Sequence, residues 1–177
     1  MREQMQTLQR IDPLAFRFAD DGLVPNNPAL PFLVYRGAID VTGRDLAATI
    51  EQRFAANGWG EMWRNGIYPF THYHSRIHEA LGIARGRARV RFGGATGEEL
   101  EVAAGDVAVL PAGTGHQRLS ASDDLLVVGA YPPAGTYDLC RATAESRERA
   151  LTTIPHVPLP STDPLYGAYG PLMTLWR

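Results

Sequence analysis

The stretch GIYPFTHYHSRIHEALGIARG, residues 66–86, holds three of the chain's five histidines within seven positions and a glutamate directly after the third. On a β-strand, side chains two positions apart point the same way, so His72 and His74 share one face. A bend at residues 75–77 places Glu79 on the next strand, able to face back toward that pair. Because neighbouring strands lie about 4.8 Å apart, this spacing predicts most of a metal site.

A second stretch, GDVAVLPAGTGHQRLS at residues 105–120, supplies a fourth candidate ligand. Pro111, Gly113 and Gly115 indicate a tight turn, after which His116 opens a strand. The two stretches must lie side by side for His116 to join the others. A closed β-barrel brings distant strands together in this way, so the pattern favours such a fold.

The segments around these stretches predict an all-β domain with terminal extensions. Between residues 66 and 131, short apolar runs alternate with glycine-bearing turns, which is typical of a sandwich or barrel. Apolar residues recur four apart within residues 41–60 and indicate one short N-terminal helix. The first thirty residues are expected to be irregular and to wrap the domain. In the polar and proline-rich C-terminal segment, residues 141–150 are interpreted as a short helix and LMTLW, residues 172–176, as an edge strand.

Length and charge restrict the class of protein. A chain of 177 residues fits one domain, 1–177, with a barrel core at about 60–132. The net charge of -2, with basic and acidic residues intermixed, gives no footprint for nucleic acid. Neither a signal peptide nor a membrane span is indicated, so we expect a cytoplasmic protein with no membrane partner. Cys140 is the only cysteine and forms no internal disulfide.

The first histidine stretch resembles the first sequence motif of the cupin superfamily, and the second stretch resembles the second motif. The marked positions of the first motif are Gly66, His72, His74, Glu79 and Gly86, and those of the second are Gly105, Pro111, Gly113 and His116. The second motif ends in asparagine in the family, where this chain has Ser120. Segments elsewhere, among them VPNNPALPFLVYRG, NGWGEMWRNGIY and VPLPSTDPLYG, are similar to the YjlB-like group of bacterial single-domain cupins.

The resemblance implies a fold and a metal more firmly than a reaction. The implied fold is a double-stranded β-helix, that is, a jelly-roll barrel. The implied ligands of one divalent metal ion are His72, His74, Glu79 and His116. Cupin barrels often pair through sheet edges, and the chain is compatible with a homodimer.

Strand periodicity also nominates side chains for the cavity wall. Tyr68 shares the inward phase of His72, and Arg118 shares that of His116. A phenol or a guanidinium aimed into a metal cavity can orient an anionic or oxygen-bearing substrate. We therefore nominate Tyr68 and Arg118, together with Glu79, as catalytic candidates.

Other residues near the first motif have simpler interpretations. His78 must face away from the metal if Glu79 faces it, which predicts an outer-face or interface role. Trp59 and Trp63 are interpreted as core residues and Arg64 as a solvated charge. A place for these three at the rim of the cavity is the alternative.

Three imidazoles and one carboxylate suit Fe, Mn, Ni, Co or Zn and leave open positions for a substrate. The first functional hypothesis is a metal-dependent oxidoreductase, a dioxygenase that acts on a metal-chelating oxygenated small molecule. The alternatives are a metal-dependent isomerase, epimerase or lyase of a sugar or keto acid, and a non-catalytic module that binds a metabolite.

Overall fold

The computed structural model describes residues 9–177, which form two antiparallel β-sheets, three α-helices and a short 3-10 turn. The strands are β1 (Leu14–Phe16), β2 (Phe32–Tyr35), β3 (Gly60–Asn65), β4 (His72–Tyr73), β5 (Glu79–Arg85), β6 (Arg87–Phe92), β7 (Glu98–Ala103), β8 (Val107–Leu110), β9 (His116–Ala121), β10 (Leu126–Tyr131) and β11 (Cys140–Arg141). The helices are α1 (Leu46–Ala56), α2 (Ala144–Thr153) and α3 (Pro171–Leu175), and the 3-10 turn is Ile154–His156. The predicted all-β architecture with a short N-terminal helix is confirmed.

The two sheets interleave strands from distant parts of the chain. The six-stranded sheet has the order β1-β2-β8-β5-β10-β3, and the five-stranded sheet has the order β11-β4-β9-β6-β7. Consecutive strands such as β4 and β5 therefore fall into different sheets, as in a jelly-roll barrel. This arrangement places the start of β5 across the barrel from β4 and β9.

Alternating burial explains why the sheets face each other. Along β6 the arginines point to solvent on one face, while Ala88, Val90 and Phe92 are buried on the other. Phe92 stacks on Phe32 of the opposite sheet with ring centroids 4.3 Å apart. One apolar cluster between the sheets therefore holds the barrel closed, because each sheet presents an apolar face to the other.

The outer face of the six-stranded sheet is covered by α1 and by the C-terminal tail, residues 157–177. Gly82 on β5 leaves room for the Ile50 side chain of α1, and a Cβ at this position would lie within 2.5 Å of it. Asp163 in the tail is fully buried and accepts a hydrogen bond from the Tyr35 hydroxyl. The backbone N–H groups of Leu165, Tyr166 and Leu172 donate to the same carboxylate. The tail is therefore attached to the sheet by a buried carboxyl group that accepts four hydrogen bonds, as burial of a polar group requires.

One expectation about the chain ends is wrong, and another is confirmed. The LMTLW segment forms α3 rather than an edge strand. Pro171 occupies the first helical turn, where its missing N–H costs nothing, and Trp176 folds back to donate to the Pro31 carbonyl at 2.9 Å. The predicted helix near residues 141–150 is present as α2.

The N-terminal extension adds the short strand β1, which pairs with β2. Residues 1–8 of that extension lie outside the described residues. Among residues 9–177, none of the helices has the length and apolar character needed to cross a membrane.

Candidate metal centre

Three histidines meet at one end of the barrel. His72 on β4 lies directly opposite His116 on β9, and their ring centroids are 3.9 Å apart. His74 follows β4, with its ring 5.9 Å from that of His72 and 5.7 Å from that of His116. All three side chains are buried, and one nitrogen from each lies within 4.8 Å of the others. Residues 44 positions apart in sequence thus form one cluster.

The backbone sets the tautomer of each of these imidazoles. Every Nδ1 lies within hydrogen-bond distance of a carbonyl oxygen: His72 with Phe70 at 3.0 Å, His74 with Asp138 at 2.5 Å, and His116 with Thr114 at 3.1 Å. A carbonyl only accepts hydrogen bonds, so each Nδ1 carries the proton and donates. The Nε2 atoms are left as the metal-binding nitrogens, which is how metal-ligating histidines are commonly held.

Glu79 opens β5 in the opposite sheet and faces the same cluster. Its Oε2 lies 3.4 Å from His74 Nε2, and its Oε1 lies 3.5 Å from His116 Nε2. Burial alone would raise the pKa of Glu79, but the two imidazoles outweigh burial and hold the pKa well below its usual range. The carboxylate is therefore ionised and available as a ligand.

The same contacts give His74 and His72 very different pKa values. Burial lowers the pKa of His74, but the Glu79 carboxylate raises it more, to about 9. Burial and the neighbouring His116 ring lower the pKa of His72 to about 3. Without a metal, the cluster therefore holds a proton on His74 while His72 is neutral.

Asp138 is a supporting residue that sequence reasoning missed. Its carbonyl accepts from His74, and its carboxylate accepts from the Ser75 N–H at 2.8 Å and the Ser75 hydroxyl at 2.5 Å. The Arg76 N–H also donates to it, at 3.2 Å. The loop before β11 thereby fixes the bend that carries His74. No spacing signal in the sequence connects Asp138 to a histidine 64 positions away.

A cavity of about 630 Å³ opens above the cluster, and Tyr68 and Arg118 both line it. Trp63 and Arg64 line the same cavity, whereas Trp59 is buried in the core and donates to the Thr162 carbonyl. The alternative placement at the rim thus applies to two of these three residues. Ser120, which stands where the family motif has asparagine, is exposed.

His78 faces away from the cluster. Its Nδ1 accepts from the Ala112 N–H at 2.8 Å, and its ring packs on Trp176 at 4.9 Å. Burial lowers its pKa to about 4, so it is neutral. The expected outward orientation is present, but the C-terminal tail covers the side chain.

Two tyrosines complete the cavity wall and were not nominated from the sequence. Tyr131, at the end of β10, accepts from Trp63 Nε1 at 2.9 Å. Burial and the Glu79 carboxylate raise its pKa far above the usual value, so the phenol is neutral. Tyr137 lies in the loop before β11, with its ring 5.1 Å from His74. Periodicity along β10 could have indicated Tyr131, but Tyr137 lies outside any strand.

The donor set fits a divalent transition metal. Three imidazole Nε2 atoms and one ionised carboxylate converge without a thiolate, and this mixed set suits Fe, Mn, Ni, Co or Zn. Because the Nδ1 atoms are engaged by carbonyls, the Nε2 atoms of His74 and His116 face the Glu79 carboxylate. A metal ion would take the place of the proton that His74 shares with Glu79.

The chain is a cupin, a protein with the double-stranded β-helix fold. Two antiparallel sheets of interleaved strands face each other, and the motif residues lie together inside one end of the barrel. Within this class the chain belongs to the YjlB family. It is 41% identical over 159 residues to the uncharacterized protein YjlB of Bacillus subtilis (strain 168), which covers 90% of this chain and 93% of that protein. No family model matches the chain.

Solved structures with a similar fold share little sequence with the chain. An acireductone dioxygenase from Bacillus anthracis, with a cadmium ion in its active centre, is 16% identical over 52% of this chain, with a TM-score of 0.37. The chain spans 64% of that dioxygenase. A double-stranded β-helix protein from Klebsiella pneumoniae is 14% identical over 80% of this chain and 97% of its own, with a TM-score of 0.38. A variant of oxalate decarboxylase from Bacillus subtilis is 18% identical over 66% of this chain and 29% of its own, with a TM-score of 0.36.

Proposed function

We propose that this chain is a metal-dependent enzyme, an oxidoreductase of the dioxygenase type that acts on a small, metal-chelating, oxygenated metabolite. The observation that supports this most is the orientation of the three histidines. Each Nδ1 proton is engaged by a backbone carbonyl, so the three Nε2 atoms face one another and the Glu79 carboxylate. This is the arrangement that a bound divalent ion requires.

In this proposal His72, His74, Glu79 and His116 hold the ion, and the cavity residues act on the substrate. When bound, the ion supplies Lewis acidity and open coordination positions for oxygen donors. Arg118 attracts an anionic group, and the Tyr68 hydroxyl at the cavity wall donates to or accepts from substrate oxygens. Glu79 serves mainly as a ligand, because its ionised carboxylate already contacts two imidazoles.

One observation favours the second candidate, an isomerase, epimerase or lyase of a sugar or keto acid. The neutral Tyr131 phenol lies next to Glu79 and the metal site and is held by Trp63. A neutral phenol is a suitable proton donor to an enolate oxygen. A non-catalytic metabolite-binding module would use the same ligands and is a further outcome of the test.

The test combines metal analysis with turnover assays. The protein is purified without added metal, its metal content is measured, and oxygen uptake is followed for each candidate metal with a panel of catechols, enediols and 2-oxo acids. We expect about one ion per chain and oxygen uptake with at least one metal and substrate. Isomerised or cleaved product without oxygen uptake favours the second candidate. A protein that neither contains nor regains a transition metal refutes both.

We also propose a single-domain, cytoplasmic protein that pairs as a homodimer. The supporting observation for pairing is that β3 and β7 are edge strands with unpaired backbone groups. Light scattering on the purified protein tests this, and a monomer at micromolar concentration contradicts it.

A further inference from the structure

The cavity above the metal site has an aromatic wall on two sides. Tyr68 lies on one side, with its ring 5.2 Å from that of His72, and Tyr137 lies on another, 5.1 Å from His74. Tyr68 is 45% exposed and Tyr137 is 50% exposed. Two large rings therefore leave about half of their surface uncovered beside the ligand cluster. Uncovered aromatic surface in a concave site is a typical feature of ligand-binding cavities.

Neighbouring residues fix the orientation of both rings. Tyr68 stacks on Phe70 with centroids 4.8 Å apart and an interplanar angle of 18°, and the Arg141 guanidinium lies 3.4 Å above the Phe70 ring. Tyr137 packs edge-on against Tyr131 at 5.9 Å. Rings held in place in this way lose little entropy when a ligand stacks on them.

Arg118 is the one cavity arginine without a protein counter-ion among the described residues. No carboxylate among residues 9–177 lies within ion-pair distance of the Arg118 guanidinium. Arg64 lines the same cavity but forms a two-point ion pair with Glu51, at 2.5 and 3.2 Å. The cavity therefore offers one uncompensated guanidinium, which binds a carboxylate well.

Arg118 lies beside the ligand cluster on the same strand face. His116 and Arg118 are two residues apart on β9 and share one face, so their Cα atoms are about 6 to 7 Å apart. A ligand whose chelating oxygens lie at the histidines can therefore also present a carboxylate to Arg118.

We infer that the substrate is a planar aromatic carboxylate, with its ring between Tyr68 and Tyr137 and its carboxylate on Arg118. The placement of the chelating oxygens at the metal rests on the proposed function, whereas ring and carboxylate recognition depends on these side chains alone. A sugar phosphate would require several more convergent hydrogen-bond donors and a second free cation. Arg64 is held by Glu51, and much of the remaining wall consists of Ile67, Leu81 and aromatic rings.

The test uses metal-free protein and three small probes, so that its result does not depend on the metal. Benzoate carries both features, cyclohexanecarboxylate has the charge without the flat ring, and benzyl alcohol has the ring without the charge. By calorimetry we expect benzoate to bind about fivefold tighter than cyclohexanecarboxylate and at least about tenfold tighter than benzyl alcohol. Equal affinities for benzoate and cyclohexanecarboxylate would overturn the ring assignment.

Variants locate the site. Arg118→Gln should weaken benzoate binding by about tenfold or more. Arg89→Gln, which removes an exposed guanidinium from the same sheet, should leave it unchanged. Tyr68→Leu should weaken binding about fivefold and Tyr68→Phe should preserve it, since the ring is retained. If Arg118→Gln and Arg89→Gln behave alike, the carboxylate assignment is wrong.

A last measurement separates this inference from the proposed function. Metal-loaded protein should bind 3,4-dihydroxybenzoate more tightly than metal-free protein does, because chelation is added to stacking and charge. Loss of metal binding with retained benzoate binding would refute the proposed function alone. Normal metal content without preferential benzoate binding would refute the inference alone.

Discussion

Metal binding should displace the proton that His74 shares with Glu79. In the metal-free protein the pKa of His74 is about 9, because Glu79 Oε2 lies 3.4 Å from its Nε2. At pH 7.5 a group with that pKa is about 97% protonated. A metal ligand must be deprotonated, so each ion bound at pH 7.5 should release about one proton from His74. His72, with a pKa of about 3, should release none.

The size of the pH effect on metal affinity follows from this proton balance. Release of one proton from His74 should tighten the apparent Kd for the metal about eightfold from pH 7.5 to 8.5, and the dependence should level off above pH 9. The raised pKa also stabilises the metal-free fold. This contribution is fully present below the unfolded pKa near 6.5 and is lost as the pH rises through 9. The Tm of the metal-free protein should therefore fall over that interval.

Glu79→Gln tests the cause. Without the carboxylate, burial lowers the pKa of His74, so metal binding should release almost no proton from His74 and should become less pH-dependent. Calorimetry of metal binding in buffers of different ionisation enthalpy counts the protons. The matched control is Glu61→Gln, since Glu61 lines the same cavity but forms no ion pair with the histidines. Proton release equal in wild type and Glu79→Gln, or absent from wild type, would refute the reasoning.

Three further predictions concern metal content and stability. His116→Ala should reduce the bound metal, measured by elemental analysis, from about one ion per chain to near zero. His156→Ala, at an exposed position, should leave the metal content unchanged. Equal metal content in the two variants would exclude His116 as a ligand. Gly129→Ala should lower the free energy of unfolding by about 1 to 3 kcal/mol in urea denaturation, because the added Cβ collides with the Trp63 indole. The same collision should shift the fluorescence of Trp63. An unchanged spectrum would contradict this packing. Asp163→Ala should lower the free energy of unfolding by about 3 to 5 kcal/mol, because one hydroxyl and three backbone N–H groups lose their buried acceptor. A loss under 1 kcal/mol would show that these four donors find other partners.

Much of the architecture could be predicted because it depends on local periodicity. The two-residue repeat placed His72 and His74 on one face, and the four-residue repeat indicated α1, since both follow from backbone geometry. The C-terminal LMTLW was misjudged for the opposite reason. Four apolar residues and one threonine fit a strand or a helix equally well, and burial of Trp176 against the outer face of the six-stranded sheet selected the helix.

The cavity depended on contacts that no local pattern encodes. Tyr137 and Asp138 approach His74 only because the loop before β11 returns across the end of the barrel. Trp63 lies on the cavity wall because Gly129, on the neighbouring strand, leaves room for its indole. Such neighbours are set by strand order and register, which the residues of one segment do not determine.

The sequence by itself therefore determined the candidate ligands and the period of the strands that carry them. Side-chain direction along a strand repeats every two residues, and residue type decides what an atom can donate or bind. Only the tertiary structure decided that Nε2 rather than Nδ1 faces the common point, that Glu79 bridges His74 and His116, and that Arg118 lacks a counter-ion among the described residues. These properties depend on distances between segments far apart in the chain, which are fixed only when the two sheets close on each other.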